Sequence, residues 1–435
     1  MLQQILFLST LVVAAWVIRR RINFITDAIR LGKKTTVSRD QRRIRNLLLI
    51  AFGQRKMFTK PIAACMHLLI YAGFILINIE VLEFIIDGLL GTHRVFAPIL
   101  GGAYPILMNM FEWLALGVLL SCFVFLSRRH LLKLPRLNSP ELTRWPRMDA
   151  NIILISEIIL MLAIFTMNAS DQILQGRDRH YTATGSLVLS GLLVPFFENL
   201  STAALVAIER SAWWFHILGI LGFAVYVTYS KHLHIFLAFP NTYFAKLEPK
   251  GQMTAMPVVT AEVKSMLGLP STETVAPTES GRFGAKDVVD LSQPQILSAF
   301  ACTECGRCTA ECPANLTGKK LSPRKIMMDV RDRAEAIQQD KLTGSTAYEA
   351  KSLLGDYITK EEINACTSCN ACVEACPVLI NPLDIILELR RYVSMEESGA
   401  PASWNAMYQN METSFSPWKF SPTDRFNWND NQTKS

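Results

Sequence analysis

The stretch ACTECGRCTAECP, residues 301–313, returns 64 residues later as ACTSCNACVEACP, residues 365–377. Both stretches have the spacing C-x2-C-x2-C-x3-C-P, in which three cysteines bind one [4Fe-4S] cluster and the fourth reaches the other cluster. A structural zinc site needs four ligands arranged in pairs, and a doubled run of four cysteines ending in proline does not fit that pattern. The two stretches therefore predict a dicluster ferredoxin domain.

The crossed pattern assigns four cysteines to each cluster. The predicted ligands of cluster 1 are Cys302, Cys305, Cys308 and Cys376, and those of cluster 2 are Cys366, Cys369, Cys372 and Cys312. Dense cysteine clusters of this kind indicate metal binding in a reducing compartment rather than disulfides. The two remaining cysteines, Cys65 and Cys122, lie in apolar segments and are expected to be packing residues.

The residues around the cluster motifs predict a small α-helical domain over about 296–395. Ser322 and Pro323 mark the start of one helix, and PLDIILELRRYVSM after the second motif predicts another. Residues 246–295 are rich in Pro, Thr, Ser and Gly and predict a linker. The tail, 396–435, carries many aromatic residues without periodicity, so it either docks on a partner or packs back on the ferredoxin domain.

The composition requires that part of the chain lies in lipid. Of 435 residues, 50% are hydrophobic and 19% are charged, and the mean hydropathy is +0.23. A single soluble domain is excluded. About 20 apolar residues cross a bilayer, and five segments of residues 1–245 meet or approach that length, at about 3–18, 62–86, 105–126, 151–170 and 209–230.

The loop charges predict the orientation of these spans. Residues 19–60 carry 13 Lys and Arg, and residues 127–148 carry six, so both loops are expected inside the cell. The first span lacks a basic n-region and a cleavage site, and we interpret it as a retained anchor. Five spans with the N-terminus outside then leave the cysteine-rich half in the cytoplasm. The net charge of +7 is explained by these loops rather than by a nucleic-acid-binding face.

Four of the seven histidines lie in or beside apolar spans, where neutral imidazole is a common haem ligand. His216 and His234 are 18 residues apart, or five helical turns, which predicts one helix that serves two haems. His67 is expected at the depth of His234, and this pair is the predicted proximal haem site. His93 is a candidate partner of His216 at a distal haem, or else a surface-loop residue. His232 projects away from His234 on a helix and is expected near headgroups or quinone.

Acidic residues recur along the second predicted span at Glu80, Glu83 and Asp87. They form either a helix end exposed to water or part of a proton path to a quinone site. No short motif identifies the quinone pocket itself.

The stretch HILGILGFAVYVTYSKHLH, residues 216–234, resembles the fifth helix of the membrane anchor, or gamma subunit, of respiratory nitrate reductases and of cytochrome b subunits in heterodisulfide-reductase-like complexes. The resemblance covers about residues 1–245. It implies that His216 and His234 bind b haems. Ser230 and Lys231 stand where this family has a serine followed by a basic residue, four and three positions before the second histidine. The nitrate reductase anchor has a second histidine ten residues after the first in its second helix, whereas here Ile77 follows His67.

The ferredoxin half resembles the small iron-sulfur component of heterodisulfide reductases and its relatives in glycerol-3-phosphate and succinate oxidoreductases. The whole arrangement is similar to the N-terminal part of iron-sulfur oxidoreductases that pass electrons from electron-transfer flavoprotein to menaquinone. This resemblance implies a protein of the bacterial cytoplasmic membrane that relays electrons to quinone, with a CCG-domain protein or a flavoprotein as partner.

The sequence contains no dinucleotide-binding glycine motif, P-loop or nucleophile elbow, so substrate chemistry is expected on the partner. Two other functions stay open. One is a quinol-oxidising anchor of a heterodisulfide- or nitrate-reductase-like complex. The other is a membrane redox sensor that signals through the aromatic tail.

Overall fold

Five helices of the computed structural model, which describes residues 1–270 and 282–432, are long and apolar enough to cross a membrane. They are α1 (Leu2–Ile29), α2 (Pro61–Leu90), α3 (Tyr104–His130), α4 (Trp145–Leu174) and α5 (Thr202–Val227). The predicted number of spans is confirmed. Four helices extend past the predicted segments at both ends, whereas α5 starts earlier and ends three residues before the predicted boundary of 230.

The ends of these helices follow from local sequence. Pro61 occupies the first turn of α2, where its missing N-H costs nothing. Gly91 ends the same helix in the left-handed conformation, with φ +75, and its N-H donates to the carbonyl of Asp87 at 2.7 Å. Ser201 caps α5 by accepting a hydrogen bond from the backbone of Ala204.

A buried ionic network joins three segments of the membrane half near the end of α2. The guanidinium of Arg94, in the loop after α2, contacts acceptors on α2 and α4. These are Glu80 Oε1 at 3.3 Å, Asn168 Oδ1 at 2.7 Å and Asp171 Oδ2 at 3.2 Å. The side chain of Arg94 is only 4% exposed. The structure thus buries Glu80, Glu83 and Asp87, and the exposed acidic helix end considered above is wrong.

Replacing Arg94 with Leu is expected to destabilise the membrane half strongly. The substitution leaves Glu80 and Asp171 buried without their cation, and breaking a buried pair in this way costs about 3–5 kcal/mol. The measurement is thermal unfolding of the purified chain in detergent. Arg177→Leu is the control, because Arg177 is exposed and bonds the backbone carbonyls of Glu198 and Leu200. Equal midpoints for the two variants would contradict the stabilising role of the network.

The structure does not place His216 and His234 on one continuous helix. α5 ends at Val227, a turn and a short 3-10 segment follow, and α6 (His234–Phe244) starts anew. The carboxylate of Asp149 on α4 holds this break by accepting three hydrogen bonds. The donors are Tyr226 Oη at 2.5 Å, Ser230 Oγ at 2.6 Å and the backbone nitrogen of Lys231 at 3.1 Å. The prediction of a single helix is wrong because residues 230 and 231 bond to Asp149 instead of continuing the helical ladder.

The second half of the chain is helical as well. Five longer helices and one short helix, α10, are labelled here: α7 (Pro257–Met266), α8 (Gln293–Phe300), α9 (Pro323–Thr343), α10 (Lys360–Asn364), α11 (Pro382–Met395) and α12 (Ala402–Ser414). Among the described residues the only β-type pairing is two isolated bridges. The five apolar spans and the helical ferredoxin domain together predict an all-α chain, and this prediction is confirmed for the described residues.

Short helical segments connect these elements. In the membrane half they are Gln41–Asn46, Leu47–Phe52, Arg55–Thr59, Ala97–Leu100, Gly101–Ala103, Pro135–Leu137, Pro140–Leu142, Val188–Gly191, Val194–Phe197 and Lys231–Leu233. In the second half they are Val288–Asp290, Arg307–Ala310, Pro313–Leu316, Ala347–Ala350, Leu353–Tyr357, Ala371–Ala375, Pro422–Phe426 and Asn427–Gln432.

The predicted linker is shorter than 246–295. Residues 257–266 form α7, and Ala285, Val288 and Leu291 are fully buried in the core of the ferredoxin domain. Their apolar side chains pack against α8, α9 and α11, so this part belongs to the domain. Residues 271–281 of the predicted linker lie outside the described residues.

The ferredoxin domain packs directly on both basic loops of the membrane half. Arg324 of α9 is fully buried and pairs with Glu141 at 2.7 Å. Arg21, within α1, pairs with Glu335 at 2.6 Å. Residues 19–60 and 127–148 therefore lie on the same side of the membrane helices as the ferredoxin domain.

The part of the aromatic tail that the structure describes does not pack back into the domain core. No side chain of α12 is buried, and six described aromatic residues within or beyond it are at least half exposed. These are Tyr408, Phe415, Trp418, Phe420, Phe426 and Trp428, with exposed fractions between 50% and 77%.

Candidate iron-sulfur and haem site

The first cysteine loop turns through two residues in the left-handed conformation. Glu304 has φ +55 and Gly306 has φ +71, so the chain curls between Cys302 and Cys308. The backbone N-H of Glu304 points at the Sγ of Cys302, at 3.4 Å. Loops that direct N-H groups at cysteine sulfur stabilise thiolates bound to iron.

The second loop repeats this conformation at equivalent positions. Ser368 has φ +56, Asn370 has φ +62, and the N-H of Ser368 lies 3.4 Å from the Sγ of Cys366. Asparagine tolerates the left-handed region that glycine occupies in the first loop. Two loops with the same backbone and the same three cysteines are suited to the same ligand.

The thiols interact in two sets, and each set includes a cysteine from the other motif. Burial raises the pKa of Cys302 to about 12, and the neighbouring Cys305 and Cys376 raise it further. Burial also raises the pKa of Cys372 to about 12, with further contributions from Cys366 and Cys312 among others.

The thiols of Cys376 and Cys308 join these sets. Burial raises the pKa of Cys376 to about 11, with Cys305 as the next cause. The pKa of Cys308 is raised well above its usual value by burial and by several thiols, including those of Cys302 and Cys372. Because Cys372 of one set raises the pKa of Cys308 in the other, the two sets of thiols lie near each other.

These thiols fit a bound cation chemically, because buried thiols give up their protons readily only when a metal replaces them. Among residues 1–270 and 282–432, no group of three or more His, Cys, Asp or Glu side chains is arranged to hold a single metal ion.

Positive groups surround the cysteine loops. Arg390 of α11 donates to the backbone carbonyl of Cys366 and lowers the pKa of that thiol, against the larger effect of burial. Arg136 donates to the carbonyl of Cys305 at 2.6 Å. The positive charge of Lys56 lowers the pKa of Cys376, against the larger effect of burial. A cluster bound by four thiolates is anionic, so these cations suit it.

The two loops differ in exposure. Cys302 of the first loop is 9% exposed. Cys376, the cysteine of the second motif that raises the pKa of Cys302, is only partly exposed. Cys369 of the second loop is exposed. The second loop is thus the one open to solvent.

His67 and His234 face each other at the junction of the two halves. Their ring centres are 6.3 Å apart and the rings are inclined by 44°. The Nδ1 of His67 bonds Gln54 Oε1 at 3.0 Å, and the Nδ1 of His234 bonds the carbonyl of Lys231 at 3.2 Å. Both imidazoles can therefore offer Nε2 to another partner.

This geometry fits a haem iron between the rings. Imidazole nitrogen binds metals at about 2 Å, so two imidazoles on opposite sides of one iron have ring centres about 6 Å apart. Metal-binding histidines commonly donate Nδ1-H to an oxygen, which fixes the ring for coordination through Nε2. The role of Gln54 was not predicted, because nothing in its sequence context marks it as a partner of His67.

The first cysteine loop reaches this histidine pair from two directions. Arg307 donates to the carbonyl of Lys56 and to Thr59 Oγ1, both at 3.4 Å, in the turn that leads into the helix of His67. On the other side, the carboxylate of Glu304 pairs with the ammonium of Lys231. The backbone carbonyl of Lys231 accepts the hydrogen bond from His234.

Lys231 is therefore bonded to a cysteine loop through its side chain and to a haem-ligand candidate through its backbone. It is 8% exposed, and its ammonium also donates to the carbonyl of Pro146 at 2.6 Å. Burial lowers the pKa of Lys231, and the nearby Glu304 and Asp149 oppose that effect. Lys231 was noted in sequence, but its ion pair with Glu304 could not be predicted because 73 residues separate them.

With a haem held by His67 and His234, as we propose below, Lys231→Met is expected to slow haem reduction about tenfold to a hundredfold while haem stays bound, because residues that support metal ligands typically change activity by that amount. The change leaves Glu304 with Arg331 as its remaining cation and loosens the junction. The measurement is the rate of haem reduction after the clusters are reduced. Lys325→Met serves as control, because Lys325 forms ion pairs away from the junction, with Asp329 and Glu362. An unchanged rate in Lys231→Met would contradict this role.

The remaining histidines are placed differently from the predictions. His216 is buried and its Nδ1 bonds the carbonyl of Leu160 at 3.0 Å, while its ring meets Phe84 edge to face. His93 has both ring nitrogens in use, with Thr182 N-H at 3.1 Å and Asp171 Oδ1 at 3.1 Å. The arrangement leaves His93 no nitrogen for iron, so a distal haem between His93 and His216 is not supported.

His232 lies beside His234 rather than opposite it. The ring centres are 5.4 Å apart, because both residues lie at a 3-10 turn instead of on a regular helix. The ring of Phe223 covers His232 at 5.6 Å. The predicted opposite projection is wrong.

The fold and the cysteine loops define a class: a dicluster iron-sulfur domain attached to a helical half that can span a membrane. A family model described as "4Fe-4S dicluster domain" matches residues 301–380. The chain is 30% identical over 433 residues to the probable iron-sulfur-binding oxidoreductase FadF of Bacillus subtilis, covering 92% of this chain and 57% of that protein. The chain is thus related to iron-sulfur oxidoreductases.

Two further relatives carry related descriptions. The EtfAB:quinone oxidoreductase of Syntrophomonas wolfei is 28% identical over 418 residues, covering 89% of this chain and 54% of the relative. One component of the ferredoxin/F420H2-dependent CoB-CoM heterodisulfide reductase of Methanosarcina acetivorans is 32% identical over 113 residues, covering 26% of this chain and 56% of the relative. The chain spans little more than half the length of the first two relatives. No solved structure matches it.

Proposed function

We propose that the chain is a membrane-bound electron-transfer protein that connects a cytoplasmic redox partner with the quinone pool. The observation that carries the proposal is the contact of the first cysteine loop with both sides of the His67 and His234 pair. Arg307 supports the turn before His67, and Glu304 pairs with Lys231, whose carbonyl holds His234. A ferredoxin domain packed in this way on a haem-ligand pair is suited to electron transfer between them.

We assign the cluster ligands as the crossed motif requires. Cluster 1 is held by Cys302, Cys305, Cys308 and Cys376, and cluster 2 by Cys366, Cys369, Cys372 and Cys312. The mutual influence of these thiols supports the two sets. His67 and His234 would hold one b haem. When bound, the two clusters and the haem would supply one-electron carriers.

The residues of the chain perform the remaining tasks. The exposed second loop gives a partner access near Cys369. Buried Arg324 and its partner Glu141 keep the first loop against the membrane half. Gln54 and the carbonyl of Lys231 orient the two imidazoles.

We infer that the ferredoxin domain lies in the cytoplasm of a bacterium, with the chain in the cytoplasmic membrane and its N-terminus outside. The basic loops at 19–60 and 127–148 contact this domain, and basic loops favour the inner side. The reducing cytoplasm also suits the eight cysteines of the two motifs, none of which forms a disulfide.

The partner is proposed to be a flavoprotein, or a CCG-domain protein that carries its electrons. The name of the relative from Syntrophomonas wolfei supports a flavoprotein and quinone, and substrate chemistry is placed on the partner. The exposed aromatic residues of the tail are candidates for docking it.

A second function has support from the heterodisulfide reductase relative. In this case quinol gives electrons to the haem, and the cysteine loops pass them to a cytoplasmic reductase. The same ligand residues serve both directions.

The experiment compares two electron donors with the purified chain and a redox partner. Reduced flavoprotein is expected to reduce the haem in wild type and much more slowly in Cys376→Ser, because the electrons enter through the clusters. Faster reduction by quinol in both proteins, with a reduced cytoplasmic acceptor as product, would favour the second function. Failure of both donors to reduce the haem would favour a redox sensor and contradict the proposal.

A further inference from the structure

Residues 41–52 form a helical segment in the loop between α1 and α2. The segment consists of Gln41–Asn46 and Leu47–Phe52, and α2 begins nine residues after Phe52. Since α1 and α2 are long and apolar enough to cross a membrane, the loop that joins them starts and ends at the membrane surface. Arg307 of the ferredoxin domain bonds the carbonyl of Lys56 in this loop, so the surface is the one next to that domain.

The segment leaves an apolar stripe uncovered. Ile44 and Leu48 are each 54% exposed, and Phe52 is 50% exposed. Residues four positions apart lie on the same face of a helix, so these three side chains form one stripe. An apolar surface of this kind marks a site of contact with a protein or a membrane.

Another side of the segment is fixed to α6. The buried guanidinium of Arg43 donates to the carbonyls of Tyr243 and Ala245 at the end of α6, both at 3.0 Å. The ring of Phe52 packs on that of Phe239, with the ring centres 4.7 Å apart. The uncovered stripe therefore belongs to a segment that the protein holds in place.

Basic residues flank the stripe. Nine residues from 33 to 60 are Lys or Arg, whereas Asp40 is the one acidic residue of that stretch. Arg42 pairs with Asp40 at 2.6 Å. Arg45 and Arg55 are exposed, and neither forms an ion pair within the part of the chain that the structure describes. The segment thus combines an apolar stripe with unpaired cations.

This combination selects an anionic phospholipid surface as the occupant. A helix with an apolar face and basic flanks lies in the plane of the membrane interface, with its apolar side chains at the boundary of the acyl chains. Basic residues next to a membrane span are attracted to anionic headgroups. A protein partner would have to reach the stripe past these headgroups, whereas phospholipid is already present at the end of a membrane helix.

We propose that residues 41–52 bind anionic phospholipid at the membrane surface next to the ferredoxin domain. Ile44, Leu48 and Phe52 contact the acyl chains, and Arg45 with Arg55 binds the headgroup phosphates. The inference goes beyond the electron-transfer proposal and does not depend on it, because it is drawn from the apolar stripe, the charges and the position of the loop.

The test uses the full chain in phosphatidylcholine nanodiscs that contain a small fraction of a photoactivatable phospholipid. The probe carries a diazirine in its acyl chain and has either a phosphatidylglycerol or a phosphatidylcholine headgroup. Mass spectrometry measures the label on peptides that contain residues 44–52. We expect at least about fivefold more label from the phosphatidylglycerol probe, which is the ratio that one basic residue at a membrane surface supplies.

Paired substitutions separate a specific site from a general effect of charge. Arg45→Gln combined with Arg55→Gln is expected to lower labelling by the phosphatidylglycerol probe to the level of the phosphatidylcholine probe. The matched control combines Lys319→Gln with Lys351→Gln, which removes the same charge from exposed positions of the ferredoxin domain. The control is expected to label like wild type.

Three results would overturn the inference. Equal labelling by the two probes, unchanged in the arginine variant, shows that the segment contacts lipid without selecting an anionic headgroup. Label on the membrane helices but none on residues 44–52 shows that a protein or a second copy of the chain covers the stripe instead. Loss of label in the lysine control, to the same extent as in the arginine variant, shows a general effect of charge.

Discussion

Cys376→Ser is expected to abolish the cluster bound by the first loop, although Cys376 belongs to the second motif. The fourth cysteine of a C-x2-C-x2-C-x3-C-P run binds the other cluster, and serine does not replace the lost thiolate well. The positions of the thiols are consistent with this crossed assignment. Cys376 raises the pKa of Cys302, and Cys312 raises the pKa of Cys366 and Cys372. The measurement is the low-temperature EPR spectrum of the dithionite-reduced protein, together with its iron content.

Two comparisons make this experiment specific. Cys312→Ser is expected to remove the other cluster signal, so the two variants lose different spectra. Cys65→Ser should leave both signals intact, because Cys65 is an exposed residue of α2 that belongs to neither motif. If Cys376→Ser instead removed the signal that Cys366→Ser removes, each motif would bind its own cluster and the crossed assignment would fail.

His67→Leu and His234→Leu are each expected to remove the b haem almost completely. Under the proposed function each imidazole would hold the haem through its Nε2, and the ring separation of 6.3 Å fits one metal ion shared by the pair. The measurement is the pyridine haemochrome content of the purified variants per chain, with the Soret band as a second readout.

The controls separate ligands from neighbours. His232→Leu is expected to retain haem, because His232 stands beside His234 and not across from His67. His216→Leu is likewise expected to retain it, since the imidazole of His216 meets Phe84 and the carbonyl of Leu160. Full haem content in His67→Leu or His234→Leu would show that the pair does not bind iron.

Features that depend on local pattern could be predicted from the sequence. Cysteine spacing marked both ligand loops, and hydropathy gave the number of membrane helices. The charge of the loops indicated which of them would lie together, and the structure places residues 19–60 and 127–148 against one domain.

Features that depend on contacts between distant residues were missed. The spacing of 18 residues between His216 and His234 predicted one continuous helix. That helix is interrupted because Ser230 and Lys231 donate hydrogen bonds to the carboxylate of Asp149. The acidic residues of α2 looked like an exposed helix end because Arg94 comes from the loop that follows them. Neither partner can be identified from spacing alone.

The linker boundary, which was predicted from composition, was also wrong. Residues 282–295 continue a polar stretch, yet Ala285, Val288 and Leu291 are buried because α8, α9 and α11 provide an apolar surface for them. Three apolar residues separated by polar ones show no helical or strand periodicity. Composition therefore placed them in the linker.

The central claim is that the iron-sulfur domain and the histidine pair in the membrane half form one electron pathway. The visible spectrum of the purified full-length chain, taken on a sample whose iron and acid-labile sulfide have been counted, tests this most directly. We expect eight iron atoms in clusters and a Soret band from one b haem that shifts when the clusters are reduced. A chain with eight cluster irons but no Soret band, or with a Soret band that stays oxidised while the clusters are reduced, would contradict the account.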